Sequence, residues 1–351
     1  MNELWLGKPY YSLDAFCKNT YSEKYYKIAL DAGFSCPNRD GTLSFGGCIF
    51  CSEGGSGDFA SRTDASSIEA QLHAGRSLWK SKKTGNKFIA YFQAYTNTYG
   101  PVSYLREIYT AALSLPDIAG ISIATRCDCM GREVLDLLAE LKSLYPDKFI
   151  WVELGLQTIH EKTSAFINSG FTLTDFVQAM SNLTAIDIPV IVHVILGLPG
   201  ETPAQMYETC EYLNRMKPFG IKLQLLHILK NTPLGEMYLT NKLKDFSVLS
   251  LEKYTDILIH CLEILNPDIT IHRITGDGPK DLLIAPTWSL NKRNVLNTLY
   301  RLTGDGPRNQ LIAPLWSLNK RNVLNTLHKT MRERGTYQGR CYHDAGSINS
   351  V

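Results

Sequence analysis

At 351 residues, with 44% hydrophobic and 20% charged positions, the chain is long enough for one barrel-sized domain with appendages or for two ordinary domains, and its composition excludes a disordered or fibrous protein. A formal net charge of +2 gives no global attraction to nucleic acid, so any basic surface has to be local. Residues 1–10 (MNELWLGKPY) carry no secretory signal, and the longest apolar stretch, Ile188 to Leu198, is broken by His193 and too short to span a bilayer; a cytoplasmic protein without a membrane partner is expected.

In chain order, short β-branched or apolar runs alternate with longer amphipathic segments, the pattern of repeated βα units. Strands are predicted at 26–31, 88–93, 120–124, 149–156, 190–196 and 221–226, with helices at 65–82, 103–115, 132–145, 174–187 and 203–216. Six such strands predict an α/β fold, a partial (β/α)6 TIM-type barrel with functional residues at the carboxyl ends of its strands. A doubly wound open sheet has the same periodicity and is the alternative. On this reading residues 1–20 are an N-terminal extension, 21–230 the barrel with a Gly-rich loop at 32–59, and 231–351 a C-terminal helical and extended extension that opens with a helix near 250–265.

The extension contains a tandem repeat. Residues 273–300 (RITGDGPKDLLIAPTWSLNKRNVLNTLY) are followed without a gap by 301–328 (RLTGDGPRNQLIAPLWSLNKRNVLNTLH), identical at 22 of 28 positions. Two near-identical copies fall short of the three or more that a solenoid needs. The duplication is either recent or an error of sequence assembly, and only one copy is expected to occupy the position against the barrel.

Of nine cysteines, an odd number, three crowd into residues 36–51, which in a reducing compartment points to metal or redox chemistry. The loop reads AGFSCPNRDGTLSFGGCIFCSEGGSGDF from Ala32 to Phe59 and carries Cys36, Cys48 and Cys51. Three thiolates suit a [4Fe-4S] cluster with one iron left open, whereas structural zinc takes four ligands. A zinc knuckle completed by His73 or a more distant histidine is the alternative. Cys17, Cys210, Cys261 and Cys341 read as small buried hydrophobes or incidental thiols.

The spacing Cys36-x11-Cys48-x2-Cys51, with Phe50 before the last cysteine, resembles the cluster loop of the radical S-adenosylmethionine (SAM) superfamily in a widened form. The words CPNRDG, GGC-x-FC, GSGDF, YFQAYTNTYGP (91–101), ISIATR (121–126), WVELGLQT (151–158), HVILGLPGE (193–201), TGDGP and WSLNKR resemble the YhcC/YtqA-like subfamily, a relative of the elongator-type radical SAM proteins. The resemblance covers residues 20–340 less one repeat copy. It implies that Cys36, Cys48 and Cys51 hold the cluster and that the open iron binds SAM. Gln93, Tyr95 and Asn97 then face the methionyl amino group, and Thr125 and Arg126 its carboxylate. Glu153 and Gln157 serve the ribose or methionine moiety, and Gly197 and Gly200 let the backbone approach adenine. Cys127 departs from the proline usual in the family, so that a second metal or a reactive thiol at Cys127 and Cys129 stays open. His193 and His227 are as readily core histidines as substrate contacts.

The relationship to elongator-type proteins suggests a tRNA wobble uridine or its C5 substituent as substrate, and a flavodoxin- or ferredoxin-type reductant as partner. Local support comes from Lys292, Arg293, Lys320, Arg321, Lys329, Arg332, Arg334 and Arg340, interleaved with Trp316, Tyr337 and Tyr342. A solvated helix face is the plain alternative for this segment. Two other functions remain open: a radical SAM enzyme acting on a small molecule or protein, and a non-catalytic zinc-containing RNA-binding module.

Overall fold

The computed structural model of the chain describes residues 5–55, 67–77, 86–276, 278–289 and 317–342. In chain order its elements are α1 (Leu13–Tyr21), β1 (Tyr26–Leu30), α2 (Ile68–Ser77), β2 (Phe88–Phe92), α3 (Val102–Leu113), β3 (Ile118–Thr125), α4 (Arg132–Leu144), β4 (Phe149–Gln157), α5 (Glu161–Phe166), α6 (Leu173–Ala185), β5 (Val190–Leu196), α7 (Pro203–Met216), β6 (Gly220–Leu225), β7 (Ile228–Leu229), α8 (Pro233–Leu239), α9 (Leu251–Ile264), β8 (Thr270–Arg273), β9 (Leu283–Ala285) and α10 (Ser317–Glu333). Local chemistry explains several helix starts. Thr172 and Asp175 close a reciprocal capping box on α6, and Thr202 and Gln205 do the same on α7, where Pro203 sits in the first turn.

Seven strands form one sheet in the order β1-β2-β3-β4-β5-β6-β8, each pair parallel. This order settles the alternative left by periodicity. A doubly wound sheet reverses direction at a switch point, whereas here each strand is added beyond the last, as in a barrel. The result is a curled half-barrel, one strand longer than the six predicted. The seventh, β8, comes from the C-terminal extension, and an isolated bridge between Ser12 and Ile271 ties the N-terminal extension beside it. Among the described residues no helix is long and apolar enough to cross a membrane.

Most positions of the strands are buried on both faces, with Ile, Val, Leu and Phe side chains meeting α2, α3, α4, α6, α7 and α9 in one continuous core. The exceptions define the interior. Lys27 on β1, Tyr91 on β2, Ser122 on β3, Glu153 on β4, His193 on β5 and Lys222 on β6 place one polar group per strand in a single connected layer. Successive inward positions along a curled parallel sheet stack in this way.

In the tandem repeat the described residues that pack against the barrel come from both copies. The first half of copy one forms β8, β9 and the turn at Trp288, whose indole donates to Leu249 O at 2.8 Å. The second half of copy two supplies the start of α10, with Leu327 buried and the His328 ring 3.0 Å from the Tyr10 hydroxyl. Residues 290–316 lie outside the described residues. Since 289 and 317 are the same serine of the 28-residue unit, the described parts, Asp277 apart, correspond to one copy of the unit. Deleting 290–317 is therefore expected to leave the urea-unfolding free energy unchanged within about 0.5 kcal/mol, or to raise it through the shortened connection. A loss of more than about 2 kcal/mol would contradict this division between the copies.

Candidate active site

The cysteine loop leaves the end of β1 and is fastened on both sides. Ile49 N donates to Ile167 O at 3.1 Å, Leu234 N to Ile49 O at 2.9 Å and Tyr95 N to Gly55 O at 2.9 Å. The Asn168 amide reaches Gly47 O at 2.9 Å, and the Asn38 amide donates to Asn168 O and lies 3.7 Å from the Cys48 sulfur. Two glycines are required here. Gly47 has a φ of 83°, and a Cβ on it would collide with Arg39; Gly55 has a φ of 56° and lies directly under the Tyr95 ring.

Cys36, Cys48 and Cys51 line one cavity of about 940 Å³, open mouth included, that runs along the carboxyl end of the sheet to Gln224 and Arg273. Burial, reinforced by Cys51, pushes the Cys48 thiol up to about 12. Three half-buried thiols facing one cavity are the donor set of an iron-sulfur cluster with one iron left open, and they fit that group. Among the described residues no group of three His, Cys, Asp or Glu side chains is gathered tightly enough for one metal ion, and a cluster, which spreads its thiolates over different irons, does not need one. His73 lies on α2 and is absent from the cavity wall.

Of the residues singled out for SAM, Gln93, Tyr95, Thr125, Arg126, Glu153 and Gln157 line this cavity. Asn97, Gly197 and Gly200 are not among its lining residues. Asn97 is wholly buried behind the wall, its amide donating to Ala94 O at 3.0 Å and Ala124 O at 2.9 Å, where it joins the ends of β2 and β3. Gly197 packs against Leu249. Tyr95 and Gln157 both have positive φ, 58° and 68°, and Gln157 follows an irregularity in the β4 and β5 pairing; both re-aim strand ends into the cavity.

Arg126 is already engaged. Its Nε and Nη2 donate to the two Asp128 oxygens at 2.9 and 2.7 Å, and Nη1 to Ser169 O at 2.7 Å. It thus braces the wall beside Phe171, over which its guanidinium lies. Cys127 is buried, and burial followed by Asp128 raises both it and Cys129, the latter to about 12. Neither has the lowered thiol pKa that a nucleophile requires.

Glu153 is the hub of the floor. It is fully buried, paired with Lys222 and with Lys27 at 2.5 Å, accepts from Ser122, and lies 2.7 Å from the His193 ring. Burial alone would raise this carboxyl, but Lys222, Lys27 and His193 outweigh it and hold it well below the ordinary range. Burial followed by Lys222 lowers His193 to about 4, so the ring is neutral near pH 7. Burial also drives Lys222 well below its usual value despite Glu153, because Lys27 shares the same carboxylate. The floor residues Lys27, Tyr91, Lys222, Gln224 and Arg273 escape the sequence reading. A signal existed in Lys27 and Lys222, each a lone charge in an apolar strand.

Residues 40–213 match the Radical SAM superfamily and residues 218–300 the Radical_SAM C-terminal domain. The Bacillus subtilis (strain 168) protein YtqA is 45% identical over 290 residues, covering 82% of this chain and 88% of its own. The tRNA uridine(34) acetyltransferase of Methanocaldococcus jannaschii is 25% identical over 167 residues, 47% of this chain and 29% of that protein. Among solved structures, the archaeal Methanocaldococcus infernus Elp3 superposes with a TM-score of 0.60 at 15% identity, over 90% of this chain and 64% of that one.

Proposed function

This chain belongs to the radical SAM superfamily, with a [4Fe-4S] cluster and SAM as its cofactors, and on that premise we propose that it modifies a tRNA uridine at the wobble position or on its C5 substituent. The observation that carries the reading is the single cavity shared by Cys36, Cys48 and Cys51 and the polar strand ends of a half-barrel. Cys36, Cys48 and Cys51 would hold the cluster, which when bound supplies the electron that divides SAM into methionine and a 5′-deoxyadenosyl radical. The protein's own part is placement. Gln93, Tyr95, Thr125 and Gln157 offer hydrogen-bonding groups to SAM, Arg126 and Asp128 brace the wall behind it, and the strand ends bring a substrate carbon to the same spot. A reductant protein of flavodoxin or ferredoxin type would deliver the electron.

RNA as substrate class rests on the partial similarity to the wobble-uridine acetyltransferase and on the basic C-terminal face. In that face Lys329 is 3.6 Å from Glu333, Arg334 is 2.6 Å from Asp256, and the exposed Tyr337 ring lies beside Trp5. Exposed pairs like these are worth little and open readily to phosphate. Lys292, Arg293 and Trp316 lie outside the described residues, and the side chains of Lys320 and Arg321 likewise.

The test is anaerobic reconstitution, dithionite reduction with SAM, and assay of 5′-deoxyadenosine with and without tRNA, followed by nucleoside mass spectrometry. Stimulation by tRNA with a mass change on uridine is expected. SAM cleavage indifferent to tRNA would transfer the enzyme to small-molecule or protein substrates, and bound zinc without cleavage would overturn the radical reading for this chain.

A further inference from the structure

The far end of the cavity, at the edge of the sheet away from β1, is closed by Gln224 on β6 and Arg273 on β8. The other cations lining the cavity or its floor are committed. Arg126 grips Asp128 and Ser169 O, Arg39 donates to Cys51 O and Ser52 O, and Lys222 is locked on Glu153. Among the described residues Arg273 has only a 3.4 Å hydrogen bond to Gln224 Oε1, with no carboxylate within 4 Å. Arg273 thus presents to the cavity a guanidinium that no described carboxylate engages, and its planar fork matches an oxyanion. The carboxylate of the floor beneath it, Glu153, is already taken by Lys27 and Lys222, so an acceptor for Arg273 has to come from the cavity.

We propose that Arg273, steadied by Gln224, is the specificity-determining residue of the cavity and receives an oxyanion of the substrate, a phosphate or a carboxylate. The inference rests on the radical reading above and adds the charge of the group that enters beside SAM. Arg273 is the first residue of the tandem unit, and Arg301 occupies the same place in the second copy, so both arginines are changed together in the test.

The experiment uses the reconstituted, SAM-saturated protein at low salt. Calorimetric titration with inorganic phosphate and with acetate is run beside 5′-deoxyadenosine formation without substrate. The parent should bind one of the two anions, and the one preferred names the group. Arg273→Met with Arg301→Met should weaken that binding by about tenfold or more, and the corresponding pair of lysines by less. 5′-Deoxyadenosine formation is followed in all three proteins. Equal anion binding by the methionine variant, or none by the parent, would overturn the proposal, and so would loss of SAM cleavage in that variant, which would assign Arg273 to SAM itself. Absence of SAM cleavage in the parent would instead count against the radical reading, while the titration still decides the role of Arg273.

Discussion

Replacing Glu153 with glutamine is expected to lower the stability of the cofactor-free protein by about 3–5 kcal/mol, whereas Lys222→Met costs about 1–2 kcal/mol. The asymmetry follows from one carboxylate serving two ammonium groups. Without the carboxylate, Lys222, 2% exposed, and Lys27 are left as buried or half-buried cations with no counter-charge, and each keeps its desolvation penalty. Without Lys222, Glu153 loses one of its two ion pairs but keeps Lys27, Ser122 and His193, and what else is lost is packing and the 3.0 Å contact to the Tyr91 hydroxyl. Urea unfolding checks both variants, read as a shift in midpoint at unchanged slope. Equal costs would mean that Lys222 is as indispensable as Glu153, contrary to its lowered pKa. Combining the two changes should recover part of the loss in Glu153→Gln, since only the half-exposed Lys27 then lacks a partner.

Why this layer escapes the sequence while the barrel around it does not is a matter of range. The strands at 149, 190 and 221 are legible because a run of buried residues such as Val190–Leu196 announces itself locally, and the predicted limits fall within one or two residues of the structure. Helices α4 and α7 are legible for the same reason, their apolar positions recurring on one face. By contrast β8 is only four residues long, three of them polar, and becomes a strand solely by pairing with β6 across some fifty residues of chain. The rule that a charge in an apolar strand needs a partner was applicable to Lys27 and Lys222 as much as to Glu153. What no local pattern reveals is that the three meet. Arg126 illustrates the converse: a strand-end arginine invites a ligand carboxylate on sequence grounds, yet Asp128, two residues away, satisfies its fork from within. Arg273, hidden in a repeat, is the cavity guanidinium that no described carboxylate engages.

Cysteine changes separate the cluster from the fold. Cys36→Ala, Cys48→Ala and Cys51→Ala, each made singly, should abolish the brown iron-sulfur absorbance after reconstitution and reduce 5′-deoxyadenosine to background. The stability of the cofactor-free protein should fall by about 1 kcal/mol or less. The small stability cost is expected because the loop is held by backbone and amide hydrogen bonds from Ile49, Tyr95, Asn38 and Asn168 and not by the thiols. Cys17 and Cys210 are controls of the opposite kind. Both are buried in the core, so alanine there should cost about 1 kcal/mol of stability while leaving iron content and SAM cleavage intact. Should Cys48→Ala retain iron and activity while Cys129→Ala loses them, the ligand set would have to be redrawn around the Cys127 and Cys129 pair. Cys127 and Cys129 are not among the residues lining the cavity that Cys36, Cys48 and Cys51 share, and Asp128 between them is held by Arg126, which argues that it will not.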